Sequence, residues 1–141
     1  MKVLLDNDIV LDFLLKRKKF FDDADEIFVR LQNLEFDGYI AAITPINAFY
    51  TCRKEIGKGS AFEAVGELLG LVEVCPVGKD VLQRAFSLDF SDFEDAVQCA
   101  SAMAESLDAI VTRNTKDYKN SPMQVHSPSE FLEVLQTESA N

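Results

Sequence analysis

Short apolar runs alternate along this chain with longer segments whose apolar residues recur every three or four positions. That rhythm predicts an α/β fold, a three-layer α/β/α arrangement around a central, mostly parallel sheet. Two more observations point the same way. The apolar runs are too brief for helices and end at turn-prone residues, and 141 residues with no repeat, linker or low-complexity segment fit a single domain over residues 1–141.

The elements follow in order. Residues 2–6 (KVLLD) read as a buried strand that stops at Asp6-Asn7. Helical spacing covers 8–15 and 20–34, the second with Phe20, Ala24, Ile27, Phe28, Leu31 and Leu34 on one face. GYIAAI at 38–43 is a second strand, and a helix runs from Pro45, suited to a first turn, to about Glu55. GKGS at 57–60 reads as a loop before a helix over about 61–69. A strand at 71–75, helices at 78–87 and 92–106, and a strand at 108–112 come next, then an extended piece at 123–125. Ser127-Pro128-Ser129-Glu130 combines a cap, a first-turn proline and a capping-box glutamate, so a last helix is expected to about Gln136.

Composition bounds the function. The chain is 48% hydrophobic, with 11 Phe and no Trp, which is the make-up of a folded protein. No apolar run approaches the ~18 residues needed to span a bilayer, so the protein is expected in the cytoplasm without a membrane partner. Cys52, Cys75 and Cys99 are odd in number and widely spaced, and His126 is the one histidine, which supports neither a disulfide framework nor a zinc site. The net charge of −10 argues against nonspecific nucleic-acid binding but leaves room for a local basic site. Lys16, Arg17, Lys18 and Lys19 form one run, read either as a solvated helix end or as a phosphate-binding patch, and Arg113 flanks a later loop.

Acids mark the interesting end of the sheet. In open parallel sheets ligands sit beyond the carboxyl ends of the strands, which is where Asp6 falls. In SDFEDAVQCASAMA, 91–104, Ser91 and Glu94 fit a capping box, and Asp92 and Asp95 lie one turn apart on the same face. IVTRNTKDY, 110–118, leaves the last long strand through Thr112 and Asn114 and reaches Asp117. Two like charges about 4 Å apart repel by ~4 kcal/mol at an effective dielectric of ~20. Acids gathered at one rim therefore call for a hard cation, Mg²⁺ or Mn²⁺, and for phosphoester hydrolysis.

MKVLLDNDIVLDFLL at the start, ITPINAFYTCRK at 43–54, DFEDAVQCASA at 92–102 and IVTRNTKDY together resemble the successive motifs of PIN domains, specifically of the VapC-like ribonucleases of bacterial toxin–antitoxin pairs. The resemblance implies a metal-dependent endoribonuclease acting on RNA, a cognate antitoxin and a homodimer. By position it implies Asp6 and Asp95 as metal-binding acids, with Asp8 where the family usually has Asn. Asp117 and Asp92 would hold the ion directly or through water, and Thr112 would be the motif threonine. Asn47 stands where many relatives carry Glu, and Asn114 takes the place of a last acid unless Asp117 supplies it, an Asn-containing pattern shared by some subgroups. Asn47 and Thr112 would orient ligands, and Lys16 to Lys19 with Arg113 would bind RNA. Three other readings stand beside this one. LDNDIV also fits the nucleophile motif of haloacid-dehalogenase-like phosphatases, although the late acidic pair is missing; a phospho-receiver domain lacks an acceptor Asp in place; and a PIN-like binding module without catalysis remains open.

Overall fold

The computed structural model describes residues 1–140. Five strands, β1 (Lys2–Leu5), β2 (Asp37–Ala41), β3 (Glu73–Cys75), β4 (Ala109–Val111) and β5 (Gln124–His126), form one sheet in the order β3-β2-β1-β4-β5. Every neighbouring pair is parallel. The helices are α1 (Asn7–Leu14), α2 (Phe21–Gln32), α3 (Thr44–Ile56), α4 (Lys58–Leu71), α5 (Lys79–Ser87), α6 (Phe93–Ala104) and α7 (Pro128–Ala140).

Strand pleating divides the core between the two helical layers, because successive side chains point to opposite faces. Val3 and Leu5 of β1 pack with Ile9, Phe28, Ala48, Leu68 and Phe131, from α1, α2, α3, α4 and α7. Leu4 and Ile110 face the other way, onto Cys99 and Ala102 of α6. α5 joins that layer through Val81 and Ala85, which meet Ala96, Val97 and Ala100. The small residues on α6 let the helix lie close to the sheet. All three cysteines are free and buried, and burial pushes the Cys75 thiol up to about 12.

The structure shifts several expected boundaries. GKGS is not a loop: α3 ends at Ile56 and α4 starts at Lys58, so Gly57 alone separates them. Its φ of 86° and ψ of 164° lie in a region that is almost exclusively glycine's, and one such residue turns the chain without a loop. Leu34 is not on the buried face of α2. That helix ends at Gln32, and Leu34 reverses the chain at φ 60° with 88% of its surface exposed. Lys16 to Lys19 lie in the turn joining α1 to α2 rather than in a helix end. Ser127 and Glu130 do form the expected reciprocal cap, at 2.9 and 3.2 Å, but α7 runs on to Ala140.

The order β3-β2-β1-β4-β5 means that the chain builds one side of β1 first and then crosses to the other. β1 and β4 flank the point where direction switches, the usual place for a ligand crevice. Their register sets Leu5 beside Val111, and the Asp6 N–H donates to the Val111 carbonyl at 3.0 Å, so Asp6 and Thr112 leave the sheet side by side.

A Cβ added at Gly57 meets no atom within 4 Å, so Gly57→Ala tests backbone conformation alone. It is expected to cost about 1–3 kcal/mol in urea unfolding with an unchanged m-value; a loss under about 0.5 kcal/mol would contradict the account of the α3–α4 joint.

Candidate active site

Asp6 is the N-cap of α1 by backbone conformation, yet its side chain does not cap that helix. Its carboxylate is instead held from inside the protein. Thr112 Oγ1 donates to Asp6 Oδ2 at 2.6 Å, and Gln98 Nε2 donates to Asp6 Oδ1 at 3.0 Å. Gln98 is 1% exposed and uses its whole amide. Its Oε1 accepts the Asn7 N–H at 3.1 Å, and its Nε2 also donates to the Tyr118 hydroxyl at 3.2 Å. Tyr118 in turn points its O–H at Asp95 Oδ1, at 3.5 Å. A buried chain of neutral donors thus links the acid after β1 to the acid of α6.

Asp8, in the first turn of α1, accepts from Asn114 Nδ2 at 2.8 Å and from the Arg113 backbone N–H. The Asn114 N–H donates to Thr112 Oγ1 at 3.1 Å, so three successive residues after β4 hold two carboxylates. Asp8 Oδ1 is buried without a hydrogen-bond partner.

On α6 the expected capping box does not form. Asp92, not Ser91, is the N-cap, and its Oδ1 accepts the Asp95 N–H at 2.9 Å. Glu94 is therefore free of capping and accepts from Asn47 Nδ2 at 2.7 Å. Asn47, read as the weak replacement for a family glutamate, bonds an acid supplied by the neighbouring helix.

These groups meet in a cavity of about 270 Å³ lined by Asp6, Asn7, Asp8, Leu11, Arg17, Asp92, Glu94, Asp95, Gln98, Asn114 and Asp117. Of the acids expected from sequence, Asp6, Asp92, Asp95 and Asp117 are all in its wall. Thr112 is fully buried behind Asp6, and Asn47 lies in an adjoining cavity with Asp92 and Glu94. Lys19 and Arg113 line a separate cavity of about 560 Å³ that shares Asn114 with the acidic one, while Lys16 and Lys18 are exposed. Sequence reasoning missed Gln98, Glu94 and Tyr118. Gln98 had one signal, a long polar residue among the alanines of α6.

The carboxylates strain against one another. Burial, then the charge of Asp6, pushes Asp8 up to about 7, although the charge and backbone N–H of Arg113 pull it down. Asp95 is also pushed up to about 7, by burial and then by Asp6, Asp92, Asp117 and Asp8. Burial first, and then the charges of Asp6 and Asp95, raises the Tyr118 phenol, which keeps it a donor. Among the described residues no three His, Cys, Asp or Glu side chains converge closely enough to share one ion. Mg²⁺ does not require three, because it keeps several waters and is commonly held by one or two carboxylates. A wall with six carboxylates and no His or Cys, an unpartnered buried Asp8 oxygen and acids that resist ionising together fit a hydrated hard dication.

Comparison with known proteins places the chain in a family. The family model described as a PIN domain matches residues 2–116, and the chain belongs to the PIN domain family. It is 25% identical, over 141 residues and 96% of each chain, to Ribonuclease VapC1 of Aquifex aeolicus (strain VF5). Its fold is shared with VapBC-1 from nontypeable Haemophilus influenzae, at a TM-score of 0.71, 13% identity and coverage of 92% of this chain and 99% of that one. A toxin–antitoxin complex from Klebsiella pneumoniae matches at a TM-score of 0.68 and 22% identity, covering 89% and 97%. Family membership sets aside the phosphatase reading of LDNDIV and the phospho-receiver reading.

The raised acids give a pH signature. Their folded values lie above the ordinary 3.8, so the stability they contribute is fully present below about pH 3.8 and is lost as pH rises through about 7. In chelator, Tm is expected to fall between about pH 4 and pH 7 and to level off above, and Asp95→Asn is expected to flatten that fall. A parent Tm that climbs over the same range would show that the acids do not repel as described.

Proposed function

We propose that this chain is a Mg²⁺- or Mn²⁺-dependent endoribonuclease, the toxin of a bacterial toxin–antitoxin pair, working in the cytoplasm as a single domain. The observation that carries the reading is the acidic cavity at the switch point, where neutral donors hold the acids without cancelling their charge. The ribonuclease name of the Aquifex relative and the toxin–antitoxin complexes that share the fold support it.

Asp6 and Asp95 would hold the cation, with Asp92 and Asp117 reaching it directly or through water. When bound, it would supply Lewis-acid charge at a phosphate and ease deprotonation of the attacking water. The protein's own residues do the positioning. Thr112 and Gln98 fix both oxygens of Asp6, Tyr118 steadies Asp95, and Asn47 holds Glu94 at the rim. Lys16, Lys18 and Lys19 would meet the RNA backbone, and Arg17 reaches the cavity itself. Ile46, Tyr50, Phe62 and Leu69 leave an apolar surface exposed across α3 and α4. It offers a face for a cognate antitoxin or for a second copy in a homodimer. One observation favours the rival reading, a binding module without catalysis: among the described residues no three acids converge.

Cleavage of RNA in Mn²⁺ by the parent, absent in Asp6→Asn/Asp95→Asn and in chelator, is the expected result. Mn²⁺ at about 100 times its dissociation constant should add ~2.7 kcal/mol of stability to the parent only. A folded parent that neither cleaves nor gains stability would favour the binding module. If the basic run meets phosphates, changing Lys18 and Lys19 to Gln should flatten the log–log salt dependence of single-stranded RNA binding by roughly 0.7 for each phosphate no longer neutralised; an unchanged slope would return the run to plain solvated surface.

A further inference from the structure

Asp12 sits one helical turn beyond Asp8 on α1 and is 1% exposed, a position where an apolar residue would bury at less cost. Its partners are charged. Arg113 Nε donates to Asp12 Oδ2 at 2.6 Å and Nη2 to Oδ1 at 3.2 Å, and Arg17 Nη1 lies 3.8 Å from Oδ1. The Arg113 guanidinium also lies over the Phe20 ring, 3.9 Å from its centroid.

The neighbouring acids are served differently. Every side chain that donates to Asp6 or Asp8 is neutral: Gln98, Thr112 and Asn114. Yet Arg113 stands between Thr112 and Asn114 in the chain, with its own N–H on Asp8, and Arg17 lines the acidic cavity. Arg113 is close enough for its charge to act on Asp8 and Asp6, and Arg17 lines the cavity those acids share, yet both guanidinium groups pair with Asp12. A forked guanidinium–carboxylate pair is among the strongest polar contacts. One formed on Asp6, Asp8 or Asp95 would occupy the oxygens that a cation needs.

We infer that Asp12 is a positioning residue whose buried carboxylate keeps the guanidinium groups of Arg113 and Arg17 off the carboxylate oxygens of Asp6, Asp8 and Asp95, leaving those oxygens for a divalent cation. This rests on reading the cluster as a cation site. It also assigns Arg113 a task other than gripping RNA.

Asp12→Asn keeps shape and one acceptor while releasing the arginines. Mn²⁺ affinity, read from the electron paramagnetic resonance signal of the free ion, is independent of catalysis, and Tm shows that each variant is folded. Asp12→Asn is expected to weaken Mn²⁺ binding by about tenfold, as expected when a charge-assisted pair competes for the same oxygens. Adding Arg113→Gln and Arg17→Gln should restore most of that affinity, which a merely structural Asp12 would not predict. Asp12→Asn that binds like the parent, or a combined variant that stays as weak as Asp12→Asn, overturns the inference alone. A parent that binds no Mn²⁺ overturns the cation reading and this inference with it.

Discussion

The hydrogen bond from Thr112 to Asp6 ties the site to the fold. It joins the first residue beyond β1 to the first beyond β4, strands adjacent in the sheet but separated by 106 positions in the chain at these two residues. Parallel pairing fixes its ends, since the register places Leu5 beside Val111 and the two chains leave the sheet together. Asn114, Asp8, Gln98 and Tyr118 are then arranged around that bond. Without it, Asp6 would lose the shorter of its two side-chain hydrogen bonds while facing acids that repel it.

Such an arrangement has a thermodynamic cost that the rest of the molecule offsets. Acids that prefer to stay protonated near neutrality destabilise the folded state, as active sites commonly do. The counterweight is in the two apolar layers, where Phe28, Leu4, Ile110 and Phe131 are fully buried. The basic side chains have a partner of their own as well. The guanidinium groups pair with Asp12, one turn along α1 from Asp8, while amide and hydroxyl donors serve Asp6.

Local chemistry made much of this legible in the sequence. Periodicity placed the strands and helices, the run VLLD set Asp6 at a strand end, and the acids of DFED pointed to the start of α6. What local chemistry could not show were choices settled by tertiary partners. Ser91 and Glu94 matched a capping box, but Asp92 took the cap and Asn47, on another helix, took Glu94. Gln98 looked like one polar residue on a helix of small ones, and its meaning lies 92 residues away at Asp6. Asp12 had an acidic side chain in an apolar segment, with nothing nearby to name Arg113 as its partner. The GKGS stretch failed for the opposite reason: glycine signals a loop, but a single residue in a glycine-only conformation suffices to turn the chain from one helix into the next.

The central placement of β1 also bears on how the molecule comes into being. A ribosome adds roughly 5–20 residues per second, so Asp6 emerges well before Thr112, Gln98 and Tyr118 exist to hold it. β2 and β3 can add to β1 during that interval, but β4 cannot. The acidic cavity thus waits on the second half of the sheet, and a nascent chain lacks the assembled site until residues through Tyr118 have been made. Under the proposed activity, a growing chain that has not yet reached Tyr118 has no assembled site with which to attack the RNA around it.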